Sequence, residues 1–176
     1  MFLKVMIYNF KIYSHGFDNF QMEISLDGNN TFFNFHCFIQ KCLDFESHQL
    51  ASFFVSDAKW KKLKEISQLD MGIKSNAYLN MHKTTLSEML HSTNQRLIYT
   101  FDFINDRSFY IELIGIIMAQ NLNEPLVALQ RGRTPVQILD ENPYSLTTDV
   151  LQEEEIFMDS GELDDYTEIF GEMDNF

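Results

Sequence analysis

Basic residues flank the only tryptophan of the chain, Trp60. Four lysines stand within four positions of it: Lys59, Lys61, Lys62 and Lys64. Such ammonium groups could contact phosphates while the indole ring stacks on a base. Farther along, two arginines flank a glycine, and their guanidinium groups could fork onto phosphate or carboxylate. The candidate binding residues are therefore Trp60, Lys62, Arg131 and Arg133.

Histidines and cysteines at short, regular spacing would be needed for a metal site. The nearest approach to such a set is His36, Cys37, Cys42 and His48. Cys37 and Cys42 are five positions apart, and on a helix this separation points them in different directions. Free cysteine is commonly buried as a small apolar residue. The sequence therefore predicts no metal and no cofactor, and it predicts that both cysteines pack in the core.

Catalytic motifs are absent from the sequence. The seven glycines are too dispersed for a phosphate-cradling loop, and neither G-x-S-x-G nor H-E-x-x-H occurs. Asp102 and Asp106 flank a predicted bend, where turn chemistry alone favours aspartate. Two carboxyls form a catalytic dyad only where they converge in a shielded pocket. We name no catalytic residue, and an enzyme of unknown class with a pocket near Asp102, Asp106 and Arg131 stays as one hypothesis.

The charge of the chain is concentrated at one end. Its 13 basic and 26 acidic residues give a formal net charge of -13. Residues 1–139 hold every basic residue and half of the acidic ones, whereas residues 140–176 hold the other acids and no lysine or arginine. This shift predicts a domain at 1–140 and an acidic tail at 141–176, partly disordered or docked. A tail that only confers solubility is the simpler alternative.

Apolar residues are scattered among the acids of the tail. Four of them follow a three-then-four spacing: Tyr166, Ile169, Phe170 and Met173. This spacing would place them on one face of a helix. Gly161 and Gly171 argue against one long helix, so two short pieces are the most we expect. The pattern favours docking into a groove, either on the chain's own domain around Trp60 and Arg131 or on a partner.

Alternating and helical patterns organise the first half of the domain. Residues 3–13 and 20–26 alternate between apolar and polar side chains, which predicts two strands joined as a hairpin. Thr31 is a suitable N-cap for a helix that follows. Its predicted apolar face consists of Phe35, Phe38, Ile39 and Cys42. Residues 50–56 form a short apolar run that predicts a third strand.

The second half of the domain repeats these patterns. Thr84 or Thr85 should start a short helix through Leu90, with Glu88 near its positive end. A second hairpin follows, with alternation over 97–103 and 109–113 and a bend at 105–106. Residues 76–83 and 120–143 are predicted to be mostly loop. The whole predicts an α+β fold: a mainly antiparallel sheet of two hairpins and a lone strand, packed with two helices, plus the acidic tail.

Length and composition limit the class of protein. A chain of 176 residues fits one domain with a modest addition, and 45% apolar residues can bury a core. Polar residues interrupt every apolar run, so no membrane span is predicted. The alternating start predicts no signal peptide. Two cysteines form no disulfide framework and indicate a reducing compartment, so we expect a cytoplasmic protein.

Several segments together resemble a known family. They are VMIYNFKIY, DGNNTFFNFHCFIQKCLDF, LASFFVSD, WKKLKEISQLDM, TTLSEML running into RLIYTFDF, and LVALQRGRTP. Their order over residues 3–135 resembles the plasmid open-reading-frame-three-like proteins, which also occur as passengers of insertion elements in bacteria. The resemblance implies an intracellular α+β fold and supplies no catalytic residues. The family's second hairpin usually carries Asp-Phe-Gly-Asp, an aromatic and a histidine; here Ile104 replaces the glycine and the histidine is missing, so no ligand site is carried over.

The leading hypothesis is a non-enzymatic protein-interaction module of the mobile-element passenger type, with a protein partner still to be identified. The first alternative is a nucleic-acid mimic or regulator that engages a DNA-binding protein through the acidic tail. The second alternative is the enzyme of unknown class. A neutral domain with an acidic tail lacks long-range attraction for nucleic acid, so direct binding to DNA or RNA is not expected. The sequence leaves the oligomeric state open.

Overall fold

Strands dominate the computed structural model, which describes residues 5–16, 19–70, 72 and 77–139. Within these residues the α+β class is confirmed, with eight strands and two helices. In chain order they are β1 (Met6–Ser14), β2 (Gln21–Asp27), α1 (Phe32–Leu43), β3 (Ser52–Ser56), β4 (Lys62–Ser67), β5 (Tyr78–Asn80), α2 (Leu86–Met89), β6 (Arg96–Asp102), β7 (Arg107–Met118) and β8 (Leu126–Arg131). The acidic tail at 141–176 lies outside the described residues.

All eight strands belong to one sheet, in the order β5-β4-β3-β6-β7-β1-β2-β8. Every neighbouring pair is antiparallel except β4 and β5, which are parallel. The two predicted hairpins are β1–β2 and β6–β7, and pairing of β1 with β7 joins them. The prediction of two hairpins and a lone strand was wrong, because the sheet is larger. The predicted lone strand, β3, pairs with a neighbour on each side. Three further strands, β4, β5 and β8, were not predicted.

The missed strands lack the alternation by which a strand is recognised. In β4 only the last two residues, Ile66 and Ser67, are buried. The segments predicted as loop contain β5, which is three residues long, and β8, in which every residue is exposed. Short strands at or near a sheet edge need little apolar sequence, because neither of their faces is fully covered.

The core lies between α1 and one face of the sheet. Thr31 caps α1 as predicted, since its hydroxyl accepts the backbone N–H of Asn34 at 3.2 Å. The ring of Phe35 packs 4.7 Å from Phe10 and 5.0 Å from Phe53, measured between centroids. Of the predicted apolar face, Phe35 and Ile39 are buried, whereas Phe38 and Cys42 are only partly buried. The remaining buried positions of α1 are Phe32, His36, Gln40 and Leu43.

The second helix attaches the middle of the chain to this core. Thr85 is the N-cap of α2, which confirms the predicted start, and Glu88 lies in the first turn as predicted. Its carboxylate also accepts the backbone N–H of Thr85 at 2.7 Å, as in a capping box. Just beyond α2, the carbonyl of Leu90 accepts a hydrogen bond from the buried Tyr8 hydroxyl at 2.7 Å. In the described part of the chain, no helix is long and apolar enough to cross a membrane.

Candidate functional site

The sheet face opposite α1, here called the outer face, carries polar and aromatic side chains. Along β1, for example, Tyr8, Phe10 and Ile12 are fully buried toward the helix, and the alternate residues Lys11 and Tyr13 are half-buried. The buried residues of α1 and α2 belong to the core on the other side. Among the described residues, neither helix therefore covers the outer face.

One row of the outer face crosses the whole sheet. Strand pairing places one residue of each strand side by side, in the order Tyr78, Glu65, Phe54, Ile98, Tyr110, Tyr13, Gln21 and Arg131. The middle of this row is aromatic or aliphatic, and its β8 end is cationic. Neighbouring strands are roughly 4.8 Å apart, so Arg131 lies about 10 Å from Tyr13.

A second row, one step along the strands, is charged. It runs from Arg96 through Glu112 and Lys11 to Glu23, with the sign alternating from strand to strand. The Arg96 Nε lies 3.1 Å from a Glu112 carboxylate oxygen, which neutralises both groups. Lys11 and Arg131 form no ion pair with a carboxylate in the described ranges. Both cations are therefore available on this face to an acidic ligand.

The Trp60 side chain lies where the two rows are adjacent, next to residues of both. Its ring centroid lies 4.8 Å from that of Tyr110 and 6.2 Å from that of Tyr13, both edge-on. The Arg96 guanidinium sits 4.7 Å from the indole centroid, in cation–π geometry. His15, from the turn after β1, approaches Tyr110 at 4.2 Å. We call Tyr13, His15, Trp60 and Tyr110 the aromatic platform.

The turn between β3 and β4 holds Trp60 in an unusual backbone conformation. A single Asp57 carboxylate oxygen accepts the backbone N–H groups of Lys59 at 2.8 Å and Lys61 at 2.9 Å. Between them, Trp60 has φ of 63°, in the left-handed region that bulky residues rarely adopt. This conformation costs on the order of 1–2 kcal/mol, so the surrounding contacts must hold it. The turn thus places the indole against Tyr13 and Tyr110, and the strained backbone conformation of Trp60 is the energetic cost.

The structure brings Trp60 and Arg131 to the same face. Tyr13 contacts Trp60 and pairs with Gln21, whose side-chain oxygen accepts a hydrogen bond from Arg131 Nη2 at 2.6 Å. Tyr13, Gln21, Arg131 and Lys11 line an open depression of about 550 Å³. Arg133 is exposed beyond β8.

The lysines near Trp60 do not form one patch. Lys62 lies on the outer face, where its Nζ is 4.4 Å from the Phe54 ring centroid and 3.8 Å from an Asp106 oxygen. Lys64 pairs with Val55, a residue that packs against the core side of the sheet. Lys59 and Lys61 are exposed in the turn.

The carboxylates of the β6–β7 hairpin do not form a shielded pocket with Arg131. Asp102 pairs with Arg107, whose Nε is 3.0 Å away. Burial alone would raise the pKa of Asp102, but hydrogen bonds from Asn105 and Arg107 outweigh it and hold that pKa below its ordinary value. The Asp106 side chain is 88% exposed, and Arg131 is bonded to Gln21. The grouping that the enzyme hypothesis requires is therefore not found.

The cysteines differ from what the sequence predicted. Both are free, but Cys37 is exposed on α1, so the prediction that it packs in the core was wrong. Cys42 is partly buried against the core, and this burial raises the pKa of its thiol. Across the described positions, no group of three potential metal ligands comes together. The predicted docking residues Tyr166, Ile169, Phe170 and Met173 lie outside the described part of the chain.

Most of the platform could not be predicted from the sequence. Nothing in the sequence distinguishes Tyr13, Tyr110 and the adjoining Arg96 from other strand residues. They come together only because β1 pairs with β7 and β7 pairs with β6. The available signal was the aromatic and charged character of the exposed positions on the predicted hairpins. Such positions mark a surface only once the order of strands is known.

Comparisons with known proteins support the fold and the family. The crystal structure of a protein of unknown function from Methanosarcina mazei Go1 is similar, with a TM-score of 0.59 and 22% sequence identity. The match covers 73% of this chain and 71% of that one, and at this identity it shows a shared fold alone. A comparison with curated proteins finds no match. The family model for plasmid pRiA4b ORF-3-like protein matches residues 17–172, so the chain belongs to this family.

Proposed function

We propose that this protein is a non-enzymatic protein-interaction module that binds an acidic segment carrying aromatic side chains on its outer face. The observation that carries the proposal is the aromatic platform around Trp60, flanked by Lys11 and Arg131, two cations that form no ion pair among the described residues. Mobile-element passenger proteins of this family are the setting in which we expect such a module. The proposed compartment is the cytoplasm, in keeping with the free thiols.

The aromatic rings and the charged groups of this face would contribute differently to binding. Exposed aromatic rings supply most of the binding free energy at protein interfaces, because they bury large areas with little loss of side-chain entropy. Charged groups at the rim contribute less affinity but select the partner and speed the encounter. A segment with carboxylates on both sides of an aromatic residue would place the ring on Trp60 and Tyr110. Its carboxylates would then meet Lys11 and Arg131.

The chain itself contains a segment of the required composition. Residues 162–176 read ELDDYTEIFGEMDNF, with acids interleaved among aromatic and aliphatic residues. We propose that residues 141–176 act as a separate acidic segment with this binding chemistry. A synthetic peptide of residues 162–176 is therefore a suitable probe of the outer face, whichever protein supplies the natural segment.

Trp60 offers a direct assay, because it is the only tryptophan and lies in the platform. We expect the peptide to change the tryptophan fluorescence of the full chain saturably, and more strongly at low salt than at high salt. Combined Lys11→Gln and Arg131→Gln substitutions should weaken binding about tenfold, since two rim contacts are lost. The matched control is Lys41→Gln, which removes an exposed lysine from α1 on the opposite side.

Two results would contradict the proposal. One is a fluorescence signal that does not saturate with peptide at either salt concentration. The other is equal weakening by the Lys41→Gln control, which would show that the peptide responds to total charge and not to this face. A peptide with its aromatic residues changed to serine should bind far more weakly.

A second candidate function uses the acidic segment alone. Residues 140–176 carry half of all acidic residues and no basic one, as expected for a mimic of the phosphate backbone. In this case the protein would compete with duplex DNA for a basic, DNA-binding protein. Truncation after residue 142 should abolish that competition, and retention of competition after truncation would refute it.

A further inference from the structure

The edge strand β8 is exposed along its entire length. All six of its residues are accessible, and three of them are large and apolar: Leu126 at 55%, Val127 at 43% and Leu129 at 38% exposure. It pairs with β2 on one side, and no strand of the described part pairs with the other. Its outward N–H and C=O groups are therefore available to a further strand.

Natural sheets usually protect such an edge with charges, a proline, a β-bulge, or extreme shortness. The edge at the other end of the sheet follows this rule, because β5 has three residues. In β8 the first five residues, LVALQ, contain neither a charge nor a proline. Two protective features are present: a register shift between Glu23 and Ile24 leaves Ala128 unpaired as a β-bulge, and Pro125 stands just before the strand. Even so, the uncharged run LVALQ leaves the edge suited to pairing.

We propose that β8 pairs antiparallel with β8 of a second copy of this chain, so that two eight-stranded sheets join into one. This inference goes beyond the proposed function and does not depend on it, although both use Arg131. A two-fold axis makes every contact occur twice. The proposed register sets Leu126 opposite Leu129 of the other copy and brings Arg131 alongside the other copy's Glu124.

The chemistry of the edge favours this occupant over an unrelated peptide. Leu126 and Leu129 lie on the same face, because they pair with Ser25 and Glu23 of the outer face. In the proposed register they form two apolar cross-strand pairs. Glu124 is exposed just before β8, and Arg131 is exposed at its end, so the strand carries opposite charges at its two ends. In an antiparallel pair of copies, Glu124 of each copy lies alongside Arg131 of the other, so the charges at both ends of the strand are complementary.

The expected dimer is concentration-dependent. Pairing of two six-residue edges buries less than a standard interface of roughly 1,200–2,000 Å². We therefore expect sedimentation equilibrium of the full chain, from about 1 µM to about 200 µM, to show the mass rising from 20.7 kDa toward twice that value. A chain that stays monomeric throughout this range would overturn the proposal. That result would also be obtained if the edge binds a strand of a different protein.

Substitution of one leucine tests the edge. Leu129→Lys places a charge in the apolar pair and should leave the chain monomeric with an unchanged melting temperature. Leu63→Lys is the matched control, because Leu63 is an exposed leucine on β4, far from this edge. Equal loss of the dimer in both variants, or in neither, would overturn the assignment to β8.

Charge exchange tests the register. Glu124→Arg and Arg131→Glu should each weaken the dimer about tenfold, since each puts like charges together twice. The two changes combined should restore it, whereas Arg133→Glu, outside the paired residues, should have little effect. Failure of the double variant to recover would overturn the proposed register. All of these readouts are masses, so they stand apart from peptide binding at the platform.

Discussion

The buried histidine of α1 should make the stability of this protein depend on pH. His36 is 1% exposed, and its Nδ1 lies 2.8 Å from the Tyr99 hydroxyl. Burial and, to a smaller extent, nearby His82 lower the pKa of His36 from its ordinary value of 6.5 to about 4. Between these two pH values the unfolded chain binds a proton that the folded chain does not bind. The free energy of unfolding should therefore fall as pH decreases through this window.

The magnitude follows from the two pKa values. The stabilisation is fully present above pH 6.5, and it decreases by about 3 kcal/mol in total when the pH falls below 4. Between pH 7 and pH 5 the loss from His36 alone is about 2 kcal/mol. Such a loss is a substantial fraction of the 5–15 kcal/mol by which domains are typically stable, and so it is measurable.

Urea unfolding at pH 7, 6 and 5, followed by circular dichroism, measures this effect. His36→Gln cannot titrate, yet its amide can still bond to the Tyr99 hydroxyl. Its free energy of unfolding should fall about 2 kcal/mol less than that of the natural chain between pH 7 and pH 5, whatever its value at pH 7. His91→Gln is the matched control, because His91 is exposed and its removal should leave the pH dependence unchanged.

One result would refute the reasoning about His36. If His36→Gln and the natural chain lose equal stability between pH 7 and pH 5, the buried imidazole is not the group that titrates. Should the variant fail to fold, the pKa of His36 in the natural chain can be measured by NMR. A value above 6 would contradict the effect of burial.

Two further substitutions test the packing around the start of the chain. Tyr8→Phe removes the 2.7 Å hydrogen bond to the Leu90 carbonyl and leaves that carbonyl buried, so urea unfolding should show a loss of about 1–3 kcal/mol. Gly28→Ala should cost about 1–3 kcal/mol in the same assay, because the new Cβ would lie 2.8 Å from Met6 Cγ and 2.9 Å from Tyr8 Cε2. Gly16→Ala is its control, since the space there is open; equal effects at both glycines would contradict the steric argument.

Local patterns in the sequence predicted the elements that bury one face completely. The two hairpins and α1 were recognisable because their apolar residues repeat with the period of a strand or a helix. β4 and β8 were missed because they lie toward the sheet edges, where burial imposes no such period. At the edge, β8 is exposed throughout, and its leucines and valine resemble an apolar loop.

The candidate site was only partly predictable for a different reason. Trp60 and Arg131 stood out by residue type, but their relation depends on Tyr13 and Gln21, which lie between them on the sheet. That relation is set by the order of strands, which joins positions far apart in the chain. Arg133 and Lys64 were grouped with the site by sequence proximity alone, and alternation along the strand directs Lys64 to the other face.

The order of strands also has a consequence for the chain as it leaves the ribosome. β1 and β2 are made first, but their outer neighbours in the sheet are β7 and β8. About eighty residues separate the end of β2 at Asp27 from the start of β7 at Arg107. At typical elongation rates of about 5–20 residues per second, the first hairpin waits several seconds with both edges unpaired. During this interval the unpaired edges of β1 and β2 are open to pairing with another chain, which is a route to aggregation.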